Sequence, residues 1–75
     1  MTVHQMIARL EAAKLFFTLS TVRDGAIMFA VSVPGQRWEI EVFEDGHVEI
    51  ETFKANGEIG GEAEACALIA EFAEP

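Results

Sequence analysis

The middle of the chain changes character residue by residue, whereas its two ends repeat apolar residues every three or four positions. In TVHQMIARLEAAK, Val3, Met6, Ile7 and Leu10 share one helical face. Thr2 followed by Gln5 has the form of a capping box, so a helix is predicted to start at residue 2 or 3. Lys14 stands near its end, where a cation suits the helix dipole. In EAEACALIAEFA, Ala65, Leu68, Ile69 and Phe72 repeat the helical spacing, with Glu62 and Glu64 at the favourable N-terminal end.

Between these ends lie four segments rich in β-branched and aromatic residues: LFFTLSTV, AIMFAVSV, RWEIEVF and HVEIETF. Asp24-Gly25, Pro34-Gly35 and Asp45-Gly46 separate them, and Asn56-Gly57 with Gly60-Gly61 mark a loop before the second helix. The predicted order is helix, four-stranded antiparallel meander, helix: a single two-layer α+β domain over residues 1–75, with both helices on one face of the sheet.

Side-chain alternation constrains the register. A two-residue Asp45-Gly46 turn would mix Trp38, Ile40 and Val42 with Glu49 and Glu51 on one face. A three-residue loop, Glu44-Asp45-Gly46 with Gly46 left-handed, instead pairs Phe43 with His47, Val42 with Val48, Ile40 with Ile50 and Trp38 with Thr52. One face is then apolar but for Thr52, and a one-residue slip would destroy it. The same reading of Arg23-Asp24-Gly25 sets Leu19 opposite Phe29, Phe17 opposite Val31 and Leu15 opposite Val33. A four-residue connection, Pro34 to Arg37, would set Val33 opposite Trp38, Val31 opposite Ile40 and Phe29 opposite Val42.

This register puts Glu39 opposite Glu51 and Glu41 opposite Glu49 on the outer face. Facing like charges are unfavourable, with Cβ atoms about 5 Å apart. Met28, Ala30, Ser32 and Phe43 share that face, Phe16, Thr18, Ser20 and Val22 lie on it along the first strand, and Arg37 and Phe53 stand at its far end. Two readings follow. In the first, the glutamates are a solvated face. In the second, Glu39, Glu41, Glu49 and Glu51 meet lysines or arginines of a partner, while Phe43 and Met28 supply apolar contact.

Charge favours a basic protein partner. The chain carries 13 acidic and 5 basic side chains, a net charge of −8. Such a surface repels nucleic acid and anionic lipid. No run approaches the roughly 20 apolar residues of a membrane span, and the N-terminus lacks a signal peptide's basic and apolar regions, so the expected compartment is the cytoplasm. A homodimer through the outer face would stack glutamates on their own copies; a dimer is expected to use the first two strands or an edge.

Candidate chemistry is sparse. Paired carboxylates suggest acid–base catalysis, but an open sheet face does not exclude water and a domain this small has little room for a cleft. Carboxylates on strands, without carbonyls from a loop, make a poor calcium site. His4 and His47 are too few and too separated for a metal site, and neither a phosphate loop nor a nucleophile constellation is present. His47 should lie beside the glutamates, which would raise its pKa. Cys66, the single cysteine, precludes an internal disulfide and reads as a small buried hydrophobe. Gly60-Gly61 reads as a flexible entry to the last helix. The expectation is a non-enzymatic protein without cofactor or metal.

The segment GQRWEIEVFEDGHVEIETFKANGEIGG resembles a family of small acidic bacterial proteins grouped with immunity proteins of polymorphic or contact-dependent toxin systems. Gly35, Arg37, Trp38, Glu39, Asp45, Gly46, Glu49, Glu51 and Phe53 carry the resemblance, which covers a third to a half of the chain. It implies inhibition by binding: an acidic protein occupies the basic active-site groove of a cognate, nuclease-like toxin. The alternative is a structural homodimerisation module whose glutamates are only solvated.

Overall fold

A computed structural model describes residues 1–53 and 59–74; the Asn56-Gly57 loop reading lies outside them. Helix α1 spans Val3–Ala12, strands β1 to β5 span Phe16–Ser20, Ala26–Val33, Gln36–Phe43, Val48–Phe53 and Ile59–Gly61, and helix α2 spans Glu62–Phe72. The strands form one antiparallel sheet in the order β1-β2-β3-β4-β5.

The start of α1 follows the capping box. Gln5 N–H donates to Thr2 Oγ1 at 3.1 Å, and Thr2 N–H donates to Gln5 Oε1 at 2.8 Å. Its end is a Schellman motif made without glycine. Leu15 N–H donates to the Leu10 carbonyl at 3.1 Å and Lys14 N–H to the Glu11 carbonyl at 3.0 Å. Lys14 supplies the left-handed residue, at φ 59°, and Leu10 and Leu15, the positions at which this motif usually carries apolar residues, are both buried in the core.

All the registers place one set of apolar residues on the helix side. Met6 and Leu10 of α1 and Ala65 and Ile69 of α2 close over Phe29, Val31, Trp38, Ile40, Val42, Val48 and Ile50 in a single core. Trp38 is its largest member: fully buried, edge-on to Phe72 with ring centroids 5.6 Å apart, and donating from Nε1 to Gln36 Oε1 at 2.9 Å. The indole thus buries its area while its one donor stays satisfied.

The β3–β4 hairpin has the expected three-residue loop. Glu39 faces Glu51, Glu41 faces Glu49, and Trp38 faces Thr52, while Phe43 N–H donates to the His47 carbonyl at 3.0 Å and Gly46 has φ 91°. The β1–β2 register is also as expected, with Leu19 opposite Phe29 and Phe17 opposite Val31. There the pairing stops at Ser20 and Met28, short of a three-residue loop, and Leu15 precedes the strand instead of pairing with Val33. The chain leaves the sheet early because residues 21–25 lean toward the neighbouring hairpin tip, where Glu44 N–H donates to the Gly25 carbonyl at 2.8 Å.

Four further expectations are corrected. The β2–β3 connection is the two-residue turn Pro34-Gly35, not four residues, so Val33 pairs with Gln36, Val31 with Trp38, Phe29 with Ile40 and Ile27 with Val42. Proline presets the first central position, and Gly35, at φ 80°, takes the positive angle of the second. The shift is two residues, so every side chain keeps its face. The meander also has a fifth strand: Gly60 pairs with Ile50 and Gly61 with Glu49. These glycines are therefore not a flexible entry. A Cβ on Gly60 would fall 2.8 Å from Glu64 Cβ, and Gly61 N–H is capped by Glu64 Oε2 at 3.1 Å. Close approach of strand to helix explains glycine here better than turn geometry does. Cys66 on α2 is half-buried rather than fully buried.

Candidate functional site

The outer sheet face is uncovered by either helix, and its four glutamates form the two facing pairs Glu39–Glu51 and Glu41–Glu49. Two arginines divide them. Arg23, from the β1–β2 connection, grips Glu41 with both ends of its fork: Nε to Oε2 at 2.9 Å and Nη2 to Oε1 at 2.6 Å. The same Nη2 lies 3.6 Å from Glu49 Oε1. The guanidinium also sits 4.9 Å from the centroid of the Phe43 ring. A bidentate, charge-assisted contact is the strongest form of such a pair. Its hydrogen bonds hold the Glu41 carboxyl below the ordinary carboxylate range and raise the Arg23 guanidinium further. The Glu41 side chain is only 12% exposed.

Arg37 organises the other end. Its guanidinium lies 4.6 Å from the Phe53 ring centroid and Nη2 is 3.8 Å from Glu39 Oε2. Among the described residues no cation lies against Glu51, so of the two facing pairs Glu39–Glu51 is the less neutralised by them. A depression of about 180 Å³ runs between the two halves, lined by Arg23, Met28 and the four glutamates. All the sequence-derived contact residues but Phe43 therefore line one hollow. Met28, half-buried, stands opposite Glu41 rather than opposite Phe43, a result of the shorter Pro34-Gly35 turn.

Phe43 is already engaged within the domain. His47 stacks on it at 4.0 Å with ring planes 8° apart. His47 Nδ1 is 2.7 Å from Asp45 Oδ1, its backbone N–H donates to the same oxygen at 3.0 Å, and Nε2 is 3.5 Å from Glu49 Oε2. These contacts raise the His47 pKa, with the Asp45 hydrogen bond as the leading cause and Glu49 as a lesser one. They lower the Asp45 pKa, chiefly through the hydrogen bond from the His47 backbone. The glutamate cluster is thus the smaller influence on His47, and the turn aspartate the larger.

The signs set a pH window. His47, raised above its ordinary 6.5, stabilises the fold fully below that value and less as pH rises through its folded pKa. Asp45, lowered below 3.8, stabilises above that value and less as pH falls through its folded pKa. The tip of the β3–β4 hairpin is therefore tightest between the two ordinary values. NMR titration of His47 should give a midpoint above 6.5 in the native chain that returns toward 6.5 in Asp45→Asn. An unchanged midpoint in that variant would assign the shift elsewhere.

Arg23 was the residue the sequence reading missed. Its signal was geometric: in a meander the first and third turns lie at the same end, so Arg23 beside Asp24-Gly25 was within a side chain's reach of the β3–β4 glutamates. Among the described residues no set of three His, Cys, Asp or Glu side chains could hold a metal ion, and no helix is long and apolar enough to cross a membrane. Chemically, Glu41 held deprotonated beneath an arginine is a poor general acid. Fold and face together define a small α+β domain with an acidic, arginine-bridged open sheet. No family model matches the chain, and neither a curated protein nor a solved structure does.

Proposed function

We propose that the protein is a non-enzymatic binding protein whose outer sheet face docks on a basic protein surface. The single observation that supports this most is the Glu39–Glu51 pair: two facing carboxylates on a sheet face that neither helix covers, where among the described residues Arg37, 3.8 Å from Glu39 Oε2, is the one cation beside them. An incoming lysine or arginine would relieve that repulsion, which gives the free energy of docking a local source. Phe53 and Met28 flank the pair as apolar contact, while Phe43 serves the domain internally by seating Arg23 and His47.

The kind of partner follows from the likeness of the Gly35–Phe53 hairpin to toxin-immunity proteins. A nuclease-like toxin domain, with a basic groove shaped for phosphates, is the target this reading assigns, and occupation of the groove is the mechanism.

The test leaves the Arg23 bridge intact. In Glu39→Gln/Glu51→Gln the free domain should be as stable as the native one or slightly more so, because a like-charge pair is gone. Native and variant protein, immobilised separately, are challenged with purified basic nuclease toxin domains at low and high salt. A cognate domain should bind the variant at least about tenfold more weakly and lose affinity for the native protein as salt rises. Equal affinity for both forms, or failure of the bound toxin to lose activity, overturns the proposal.

A further inference from the structure

The geometry points to a second interaction surface, the free edge of β1, and to its occupant: β1 of a second copy of this chain. Sheets end in unpaired N–H and C=O groups, and proteins usually protect such edges with charge, proline, bulges or brevity. The two edges here differ. Strand β5 is three residues long and leads directly into the acidic first turn of α2. Strand β1 is five residues long, and LFFTLSTV, residues 15–22, carries no charge, proline or glycine. Three of the exposed large apolar side chains are there: Phe16 at 70%, Leu19 at 49% and Val22 at 62%.

Charge selects a second copy over a basic partner. The edge offers a basic strand no acid to meet, and it is the neutral tract of a chain with net charge −8. Antiparallel self-pairing about a twofold axis normal to the sheet keeps both helix layers on one side. With the axis through Thr18, all five residues pair: Phe16 with Ser20, and Phe17 with Leu19 of the other copy on the helix side. Leu19 thereby gains an aromatic neighbour twice over by symmetry. The acidic faces do not collide. From β3 of one copy to β3 of the other is five strand spacings of about 4.8 Å, roughly 24 Å, against a screening length of about 8 Å at physiological salt. Both outer faces remain free and point the same way, so dimerisation and toxin docking are independent.

A ladder this short predicts a dissociation constant on the order of 10–100 μM. Sedimentation equilibrium of the full chain up to about 1 mM should pass from 8.2 kDa to twice that mass. Leu19→Lys, at an exposed position, should leave the far-ultraviolet spectrum unchanged and shift the midpoint at least about tenfold upward. Thr18→Cys in a Cys66→Ala background should form an intermolecular disulfide on mild oxidation, because residues facing each other across antiparallel strands lie about 4.5–5.5 Å apart at Cα. Ser20→Cys in the same background should cross-link far more slowly. A native chain that stays monomeric throughout this range, or a dimer indifferent to Leu19→Lys, overturns the inference.

Discussion

Trp38→Ala should remove about 3–5 kcal/mol of stability, the cost of truncating a fully buried indole. A domain of 75 residues has a total of only roughly 4–11 kcal/mol, so the variant is expected to be largely unfolded by modest denaturant or near physiological temperature. The position explains the size of the effect. Trp38 lies on the third of five strands, beneath the end of α2, where it meets Phe72 edge-on and bonds Gln36. The loss therefore opens a cavity, releases the last turn of α2 and strands the Gln36 amide. Trp38→Phe should recover most of the packing but not the hydrogen bond, and so should fall between the two. Urea unfolding followed by circular dichroism measures all three. A loss below about 1 kcal/mol for Trp38→Ala would mean that α2 is not anchored there.

Exchanging two neighbours should do more damage than removing one. In the variant that swaps Glu39 with Ile40, composition, net charge and strand propensity are all unchanged. Only the faces are altered. Ile40 is fully buried and Glu39 lies on the outer side. The swap would set a carboxylate among Phe29, Ile50 and the helices, at several kcal/mol if ionised, and would forfeit about 2–5 kcal/mol of isoleucine burial. Together these rival or exceed the whole stability of so small a domain, and the expected result is a chain without a cooperative transition at 25 °C. Calorimetry decides the matter: a sharp transition near the native temperature would show that alternation is not what specifies this sheet.

That swap also explains what was legible in the sequence. Face assignment is a question of odd or even, and Phe29, Val31, Trp38, Ile40, Val42, Val48 and Ile50 all answer it the same way. The core is therefore legible even when the β2–β3 connection is read as four residues rather than as Pro34-Gly35, since an error of two leaves parity intact. What depends on register rather than parity was less accessible: a four-residue connection would set Met28 opposite Phe43, and Met28 is found opposite Glu41. Strand β5 was hidden by composition: Gly60 and Gly61 have low strand propensity, and their pairing is imposed by β4 and by the closeness of Glu64. The end of α1 near Lys14 was legible, but its left-handed cap was not, because Lys14 occupies a position that usually announces itself with glycine. The acidic pairs were visible from the hairpin alone. Their partial neutralisation was not, because Arg23 arrives from a different hairpin, and no local pattern links residue 23 to residues 41 and 49.

The sheet order β1-β2-β3-β4-β5 repeats the order of the chain, and this has a kinetic consequence. From β1 to β4 each strand finds its neighbour across a short connection, so no long loop has to close before those pairings are rewarded, and such low-contact-order topologies fold quickly for their size. The same arrangement grades protection from hydrogen exchange. Amides of β3, bonded on both sides and lying above Trp38 and Ile40, should be the last to exchange, and those of β1 the first among the longer strands.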